Sequence, residues 1–357
     1  MNGKKSSKRA PTISDVAREA GVSRAQAARA LGGYGAVSEA VMARVEAASA
    51  ILNYRPNQLA RSMNTGRSQT LGLVVGDIEN PYFSLALRGI SDFARGEGYD
   101  VITINTDEKV ETERDAVRVL MDKRVDGLIV VPCDSRQTDH LRQVLEEGQV
   151  VTLFDREVEG LGIDAITASF VSATREAIGK LLALGHRRIA YLTTMPDYSS
   201  YRQGALLSVS PVAQRIKGLE QAYAEAGLLY DSDLVKFNAM GPQKVSAIIK
   251  ELLNMHEPAT AIVASDNLIA MAVLKECRRC HLRIPRDLSL LMYDDFPWTE
   301  LVDPPLTVVA QPVYEMGQEV ARRTIAGIRG QKLGPVPQFE ANLIERESFG
   351  RPRRCKD

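Results

Sequence analysis

Eleven Lys or Arg side chains (4, 5, 8, 9, 18, 24, 29, 44, 55, 61 and 67) stand among residues 1–67 against four acids (15, 19, 39 and 46), a net of +7. The other 34 bases and 41 acids leave −7 on the remainder. A basic segment joined to an acidic body has the charge layout of a polyanion-binding module attached to a part that does not bind polyanions. A solvated basic tail explains Lys4 to Arg9 but not the patterned residues that follow. Other chemistries find little material. His140, His186, His256 and His281 are dispersed without metal-ligand spacing, and Cys277 and Cys280 form a CxxC with only His281 nearby. Two cysteines on one helix explain that pair better than a zinc site, which needs a second ligand pair. No P-loop, HExxH, nucleophile elbow or strand-borne GxGxxG occurs, and GGYGAV lies between helices, so an enzyme is not expected and no cofactor is implied.

The basic segment must be held by short helices. Thr12 is a suitable N-cap, with Asp15 three residues on completing a capping box before Val16, Ala17 and Ala20, so a helix is expected over about 13–20. Gly21 and Val22 supply a tight turn. Ser23 caps a second helix over 24–31, whose Ala27, Ala28 and Leu31 can face the first, and the pair is a helix-turn-helix. Ser38 and Glu39 start a third helix in which Val41, Val45, Ala48 and Leu52 recur at helical spacing and close a small core.

From Thr70 the pattern changes. LGLVV, DVITIN, GLIVV and VVTLF are short β-rich runs separated by helical stretches, and RRIAYLT, TAIVAS and LSLLMY form a second such series. Two parallel α/β lobes with right-handed crossovers follow. PWTELVDPP and GQKLGPVPQ read as links recrossing between the lobes. Ligands of open α/β sheets sit at the carboxyl ends of strands, so the interlobe cleft is the expected small-molecule site. Asp77, Asn80, Tyr82 and Phe83 follow the first strand, and Asp155 and Arg156 end another. Asp77 or Asn80 can equally stabilise the turn before Pro81, and Tyr82 and Phe83 can be ordinary core.

TISDVAREAGVSRAQAARAL, VSEAVMARVEAA and LNYRPNQLARSM, continued by TLGLVVGDIENPYF, GHRRIAYL, ASDNLIAMAVL, IPRDLSLLMYDD and PPLTVVAQP, resemble the LacI/GalR family of repressors from Thr12 to about Glu347. The resemblance implies an α/β chain: a three-helix headpiece and hinge helix, then a two-lobed core like a periplasmic binding protein. Its parts are a disordered basic tail (1–11), the helix-turn-helix domain (12–55), hinge helix and linker (56–69), an effector-binding and dimerisation core (70–347) and a tail (348–357). It further implies a major-groove reading helix with Arg24, Ala25 and Arg29 near bases, Gln26 reaching a base or a phosphate, and Thr12, Ser14 and Ser23 near phosphates. Most members carry Thr-Val-Ser where this chain has Gln26-Ala27-Ala28. In the hinge, Asn57, Arg61 and Met63 fall in the segment that enters the minor groove, with Met63 in place of the usual leucine wedge. Leu59 and Met63, four apart, can instead simply share a helix face.

Through the same resemblance Tyr82 and Phe83 line the cleft, Arg215 holds effector hydroxyls or carboxylates, and Asp266 and Asp294 accept from hydroxyls. Asp266 can alternatively cap the helix starting at Asn267, and Met292 replaces the family's usual glycine. The expected partners are a double-stranded operator, a sugar, polyol or sugar acid, and a second copy of the chain. Family tetramers need C-terminal apolar heptads that ERESFGRPRRCKD lacks, so a homodimer is expected. No apolar run is long enough to span a bilayer, no signal-peptide core follows the basic start, and a cytoplasmic location is expected. A transport solute-binding protein is the competing reading for the core alone. Replacing the wedge, Met63→Gly, is expected to reduce operator bending in a circular-permutation assay, and unchanged bending rules the wedge out.

Overall fold

The computed structural model describes residues 11–32, 35–54, 66–195, 203 and 207–353. The basic tail and the hinge positions Asn57, Arg61 and Met63 lie outside the described residues. The chain divides into two compact units, Met1–Gln69 and Thr70–Asp357.

In the first unit α1 (Ile13–Glu19), α2 (Arg24–Gly32) and α3 (Glu39–Ile51) pack around Val16, Ala17, Ala20, Ala27, Ala30, Val45 and Ala48. The Asp15 carboxylate accepts from the Thr12 N–H at 2.9 Å and from its hydroxyl at 2.7 Å, fixing the start of α1. Gly21, at φ +64°, supplies the left-handed turn between α1 and α2. Ala30, rather than Ala28, joins Ala27 on the buried face of α2; Ala28 is half-buried.

The second unit follows as β1 (Thr70–Val75), α4 (Pro81–Gly96), β2 (Asp100–Asn105), α5 (Val110–Asp122), β3 (Gly127–Val130), α6 (Asp139–Glu146), β4 (Val150–Phe154) and β5 (Ala165–Ile166). The chain then runs through β6 (Ala168–Ser169), α7 (Val171–Leu184), β7 (Ile189–Leu192), α8 (Ser210–Glu225), β8 (Val235–Lys236), α9 (Gly241–Leu253), β9 (Ala261–Ala264), α10 (Asn267–Arg279) and β10 (Ser289–Tyr293). It ends with β11 (Thr307–Ala310), α11 (Val313–Ile328), β12 (Phe339–Glu340) and β13 (Asn342–Ile344). One sheet is ordered β2-β1-β3-β4-β5 and the other β13-β11-β10-β9-β7-β8. All pairings are parallel except β11 with β13. The central strands are apolar and buried, as strands covered on both faces must be. In each sheet the first strand of the lobe lies between the second and third, so the connections change direction beside β1 and beside β7, where ligand crevices open.

The sequence placed both PWTELVDPP and GQKLGPVPQ between lobes. The first instead stays in the second lobe, because β10 and β11 on either side of it pair directly. The second does recross, leaving α11, which packs on β3 and β4 of the first sheet, to reach β13 in the other. The remaining crossings run from β5 into α7 and from β11 into α11.

Helix α11 thus leaves the second sheet to cover the first, and it lies against α4 at very close range. A β-carbon on Gly317 would sit 2.4 Å from the Ala86 carbonyl oxygen, and one on Gly89 would sit 2.2 Å from that of Tyr314. Glycine is required here because both obstacles are backbone. Gly317→Ala is expected to lower stability by roughly 1–3 kcal/mol through overpacking. Gly179→Ala in α7, where nothing lies within 4 Å of the added carbon, should be neutral or stabilising by up to about 1 kcal/mol. Thermal unfolding of the two variants checks the contrast, and equal shifts refute the crossing as the cause.

Candidate functional site

Two sets of residues could carry function, one in each unit. The N-terminus of α2 exposes Ser23, Arg24, Ala25 and Arg29 to solvent, while Ala27 and Ala30 hold the helix to the core. Ser23 and Gln26 form a reciprocal cap: the Gln26 N–H donates to Ser23 Oγ at 3.1 Å, and the Ser23 N–H donates to Gln26 Oε1 at 3.0 Å. The glutamine that departs from the family pattern therefore has a local duty, which accounts for its place at N3 without a base contact. Arg29 folds back, its Nε donating to the Ala25 carbonyl at 3.3 Å. Ser14 is exposed on α1, and Thr12 is half-buried with its hydroxyl engaged by Asp15.

In the second unit the strand ends of both lobes bring Tyr82, Asp155, Arg215, Asp266 and Asp294 together. Tyr82, in the first turn of α4, donates its hydroxyl to Asp155 Oδ1 at 2.9 Å and stacks on Phe154 at 6.0 Å. Burial, then Asp155 and Asp294, push the Tyr82 hydroxyl well above its usual pKa. Arg215, on α8, is 7% exposed and has its guanidinium carbon 4.2 Å from the centre of the Phe170 ring and 4.1 Å from that of Tyr293. The two rings are inclined at 76° with centroids 5.7 Å apart, so they flank the cation on adjacent sides. One N–H donates to the Ser265 carbonyl at 2.9 Å, and the buried Nε has no hydrogen-bond partner. Burial opposes this charge, but Tyr191, Asp294, Tyr293 and Asp155 outweigh it and hold the pKa above its ordinary value. The Tyr191 hydroxyl faces the same guanidinium without a well-aligned hydrogen bond.

Asp294 and Asp155 both lie just past strand ends in the left-handed region, at φ +68° and +65°, where few side chains other than Asn or Asp are at ease. Asp294 accepts from Gln311 Nε2 at 2.7 Å. Burial, partly offset by Arg215 and Gln311, pushes its carboxyl up to about 6. Burial raises Asp155 and Asp266 as well.

Other expected site residues are otherwise employed. The Arg156 guanidinium grips Glu108 at 2.6 and 2.7 Å and the Pro132 carbonyl at 2.9 Å, tying three loops of the first lobe together. It positions Asp155 and has little left for a ligand. Asp266 caps α10, accepting from the Ile269 N–H at 2.9 Å, and its second oxygen accepts from the Ser265 hydroxyl at 3.1 Å. Phe83 packs edge-on to Tyr82 within the core. Asp77 and Asn80 serve the turn before α4, accepting from the N–H groups of Glu79 and Tyr82. His186 is buried between Thr260 and the Gly350 carbonyl, a structural tie. Cys277 is buried in α10 and Cys280 stands at its C-cap. Phe170, Tyr191, Tyr293 and Gln311 were not anticipated; in the sequence they read as core or link residues, and only their position at strand ends could have flagged them.

Residues 12–57 match the family model for bacterial regulatory proteins, lacI family, and residues 178–349 match the periplasmic binding protein-like domain. The HTH-type transcriptional regulator KdgR of Bacillus subtilis (strain 168) is 30% identical over 344 residues, covering 95% of this chain and 97% of its own. The chain belongs to the LacI family. This LacI-family protein is therefore a DNA-binding transcriptional regulator. The transcriptional regulator CelR, solved as a complex with cellobiose, is 27% identical with a TM-score of 0.67, covering 95% of this chain and 99% of its own. The lac repressor dimer bound to operator and the anti-inducer ONPF shares the fold, with a TM-score of 0.79 at 24% identity over 96% of this chain and 100% of its own. No helix among the described residues is long and apolar enough to cross a membrane.

The regulator's raised Asp294 carboxyl has a measurable consequence. Its folded pKa of about 6 lies above the unfolded value near 3.8, so the folded state holds more protons between these limits. Stability contributed by this group is then present at low pH and lost as pH rises through about 4 to 6. Asp294→Asn, which keeps shape and tolerates the left-handed backbone, is expected to stabilise the ligand-free protein by up to about 3 kcal/mol at pH 7.5, with the gain vanishing toward pH 4. Melting temperatures of both proteins from pH 4 to 8 test this; parallel curves refute it.

Proposed function

We propose that this LacI-family regulator represses transcription as a homodimer on a palindromic operator. In this reading residues 12–55 read DNA and 56–69 form the hinge and linker. Residues 70–347 dimerise and bind a polyhydroxylated effector, a sugar, polyol or sugar acid, that sets operator affinity. The observation that carries the effector half is the convergence of Tyr82 and Asp155 from one lobe with Arg215 and Asp294 from the other, a buried set of acceptors around one donor fork. Hydroxyl groups match such a set because each can donate to a carboxylate and accept from a guanidinium. The complex of the relative CelR with cellobiose is in keeping with it.

Arg24 and Ala25 are the base-reading residues of this proposal: Arg24 suits guanine O6 and N7, and Ala25 suits a thymine methyl. Ser14 and Ser23 hold phosphates, with Arg29 at the rim, while Thr12, whose N–H and hydroxyl both donate to Asp15, serves as the cap of α1 instead. In the hinge, Asn57, Arg61 and Met63 work from the minor-groove side. A solute-binding role in transport is disfavoured by the match of residues 12–57 to regulatory proteins. Closure of the two lobes around a ligand must change the free energy of DNA binding if the effector regulates, and the coupling is reciprocal.

The test is operator binding by fluorescence anisotropy over a salt series with and without candidate effectors. A slope of log affinity on log salt of several units is expected for a set of phosphate contacts. Arg24→Ala is expected to cost about 1–3 kcal/mol at one symmetric base pair and to relax preference there. Equal weakening on all sequences refutes base reading by Arg24.

A further inference from the structure

The second unit carries its charge unevenly. Arg278, Arg279, Arg283, Arg286, Arg351 and Arg353 fall in two short stretches, 278–287 and 351–353, with Asp287 the one acid among them. The other 28 bases and 40 acids of residues 68–357 leave −12. All six arginines are exposed, and the fold gathers them. Arg278 and Arg279 end α10, and the loop after it folds back on the helix, the Leu282 N–H donating to the Cys277 carbonyl at 2.8 Å. Asp287 joins that loop to the C-terminal segment: one oxygen accepts from the Arg283 N–H at 2.8 Å and the other meets the Arg353 guanidinium at 2.8 Å. Gly350, beside Arg351, lies so close to Pro285, beside Arg286, that a β-carbon on it would come within 2.9 Å of the proline. Glu276 holds Arg279, and Asp287 is shared by Arg283 and Arg353, while Arg278, Arg286 and Arg351 meet no acid among the described residues. The C-terminal dipole of α10 accounts for Arg278 and Arg279 but not for Arg286 and Arg351, which lie outside helices. Asp287 leads into the amino end of β10, and the Gly350 carbonyl meets His186 just before β7. Both sheets turn their carboxyl ends to the cleft, so this arginine pole and Thr70, where the chain enters at the amino end of β1, lie at opposite ends of the two-lobed body.

We propose that this pole is a second DNA-binding surface: it docks the phosphate backbone of a duplex without reading its sequence, so that the regulator holds one DNA segment at each end. This goes beyond the operator reading, in which residues 12–69 alone touch DNA. Three features select a nucleic-acid backbone over a protein surface. Every base in the cluster is an arginine, whose planar fork matches phosphate oxygens. The cluster spreads over a helix end, a loop and the C-terminal segment, which offers an extended polyanion several separate contacts and no base-reading element. Leu282, Ile284 and Pro285 are half-buried, and no large apolar side chain is exposed in the cluster, so it lacks the apolar anchors on which protein interfaces are built. The charge elsewhere adds direction, since −12 on the rest of the unit repels a duplex from its flanks and leaves the pole as the line of approach.

The experiment uses the full chain and random-sequence duplexes of about 40 base pairs. Phenylglyoxal, which modifies accessible guanidinium groups, reports where the DNA lies. Saturating duplex is expected to slow modification of Arg278, Arg286 and Arg351 at least about fivefold at about 50 mM salt and far less at about 200 mM, while Arg175 on α7, outside the pole, reacts unchanged. Two duplexes, one carrying a donor dye and the other an acceptor, should be brought together by the wild type. The triple variant Arg278→Gln, Arg286→Gln, Arg351→Gln should reduce this bridging at least about tenfold, whereas Arg118→Gln, Arg142→Gln, Arg175→Gln, which removes the same charge from the flanks, should leave it in place. Pole arginines that the duplex does not protect overturn the proposal, as does bridging that survives in the pole variant. Protection without bridging overturns the two-ended arrangement. Protection that follows from concentrating the protein alone, and not from duplex, assigns the pole to the acidic flank of a second copy and overturns the proposal as well. The wild-type protection pattern stands without the variants, so their failure to fold does not shelter the inference.

Discussion

One guanidinium holds the second unit's candidate site together. Arg215 is buried in the corner formed by two aromatic rings, with carboxylates delivered from both lobes acting on it. A charge placed in such a site is tolerated only because partners of opposite sign meet it, and the carboxylates are tolerated only because it is there. The dependence is mutual. Phe170 lies on the crossing between lobes, Tyr293 ends β10, and Asp155 ends a strand of the other lobe, so the way the lobes meet is written into the coordination of a single side chain. Asp294 shows the strain of the arrangement, both in its left-handed backbone and in a carboxyl lifted to about 6. A site of this kind stores free energy that a ligand can release by donating hydrogen bonds, which is how binding biases one conformation over another.

The frame that delivers these residues is set by chain crossings. Helix α11 is the most consequential: it leaves β11, packs on β3 and β4 of the opposite sheet, and touches α4 so closely that two glycines are obligatory. Arg323 on α11 adds an ion pair to Asp164 at 2.6 Å and donates to the Gly334 and Pro335 carbonyls, anchoring the helix end beside the returning strand. The lobes are therefore linked by three chain crossings, with α11 tied to the first lobe by packing and by the Arg323 ion pair.

Much of this was legible from residue order. Thr12 and Asp15 announced α1, Gly21 the turn, and the apolar runs announced seven strands, all of which form. Two-residue strands such as β5, β6, β8 and β12 left no pattern to read, because a period of two needs more than two residues to declare itself. PWTELVDPP misled because proline-rich links look alike whether they cross a cleft or return within a sheet; only strand pairing distinguishes them. The charged site residues were visible by type and by resemblance. Phe170, Tyr191 and Tyr293 were not, since an aromatic that flanks a cation has the same sequence signature as one that fills a core. Arg156 is the converse case: its type suggested a ligand contact, while the neighbour that occupies it, Glu108, is 48 residues away and could not be paired with it by inspection.

The charge division of the chain constrains how the regulator engages DNA. Of the +7 on residues 1–67, none is net in residues 12–54, where four bases (18, 24, 29 and 44) meet four acids (15, 19, 39 and 46), so the attraction of this segment for phosphate comes from the flanking Lys4, Lys5, Lys8, Arg9, Arg55, Arg61 and Arg67, and the net −7 of the rest opposes it. The three-helix unit is modest: its core is built mainly of alanine and valine, and the exposed start of α2 offers Arg24 and Ala25, the residues proposed to read bases. A single copy would gain only a handful of phosphate contacts and one or two base contacts, which places it in the range of weak binding at physiological salt. In the proposed core-joined dimer the second engagement becomes an intramolecular step, which multiplies affinity without any new type of contact. Regulation then needs no change in the reading helix at all. In the proposed dimer, a shift in how the cores hold the two copies would alter the effective concentration of one for the second half-site, so a ligand in the proposed Arg215 cleft would control DNA affinity through geometry alone.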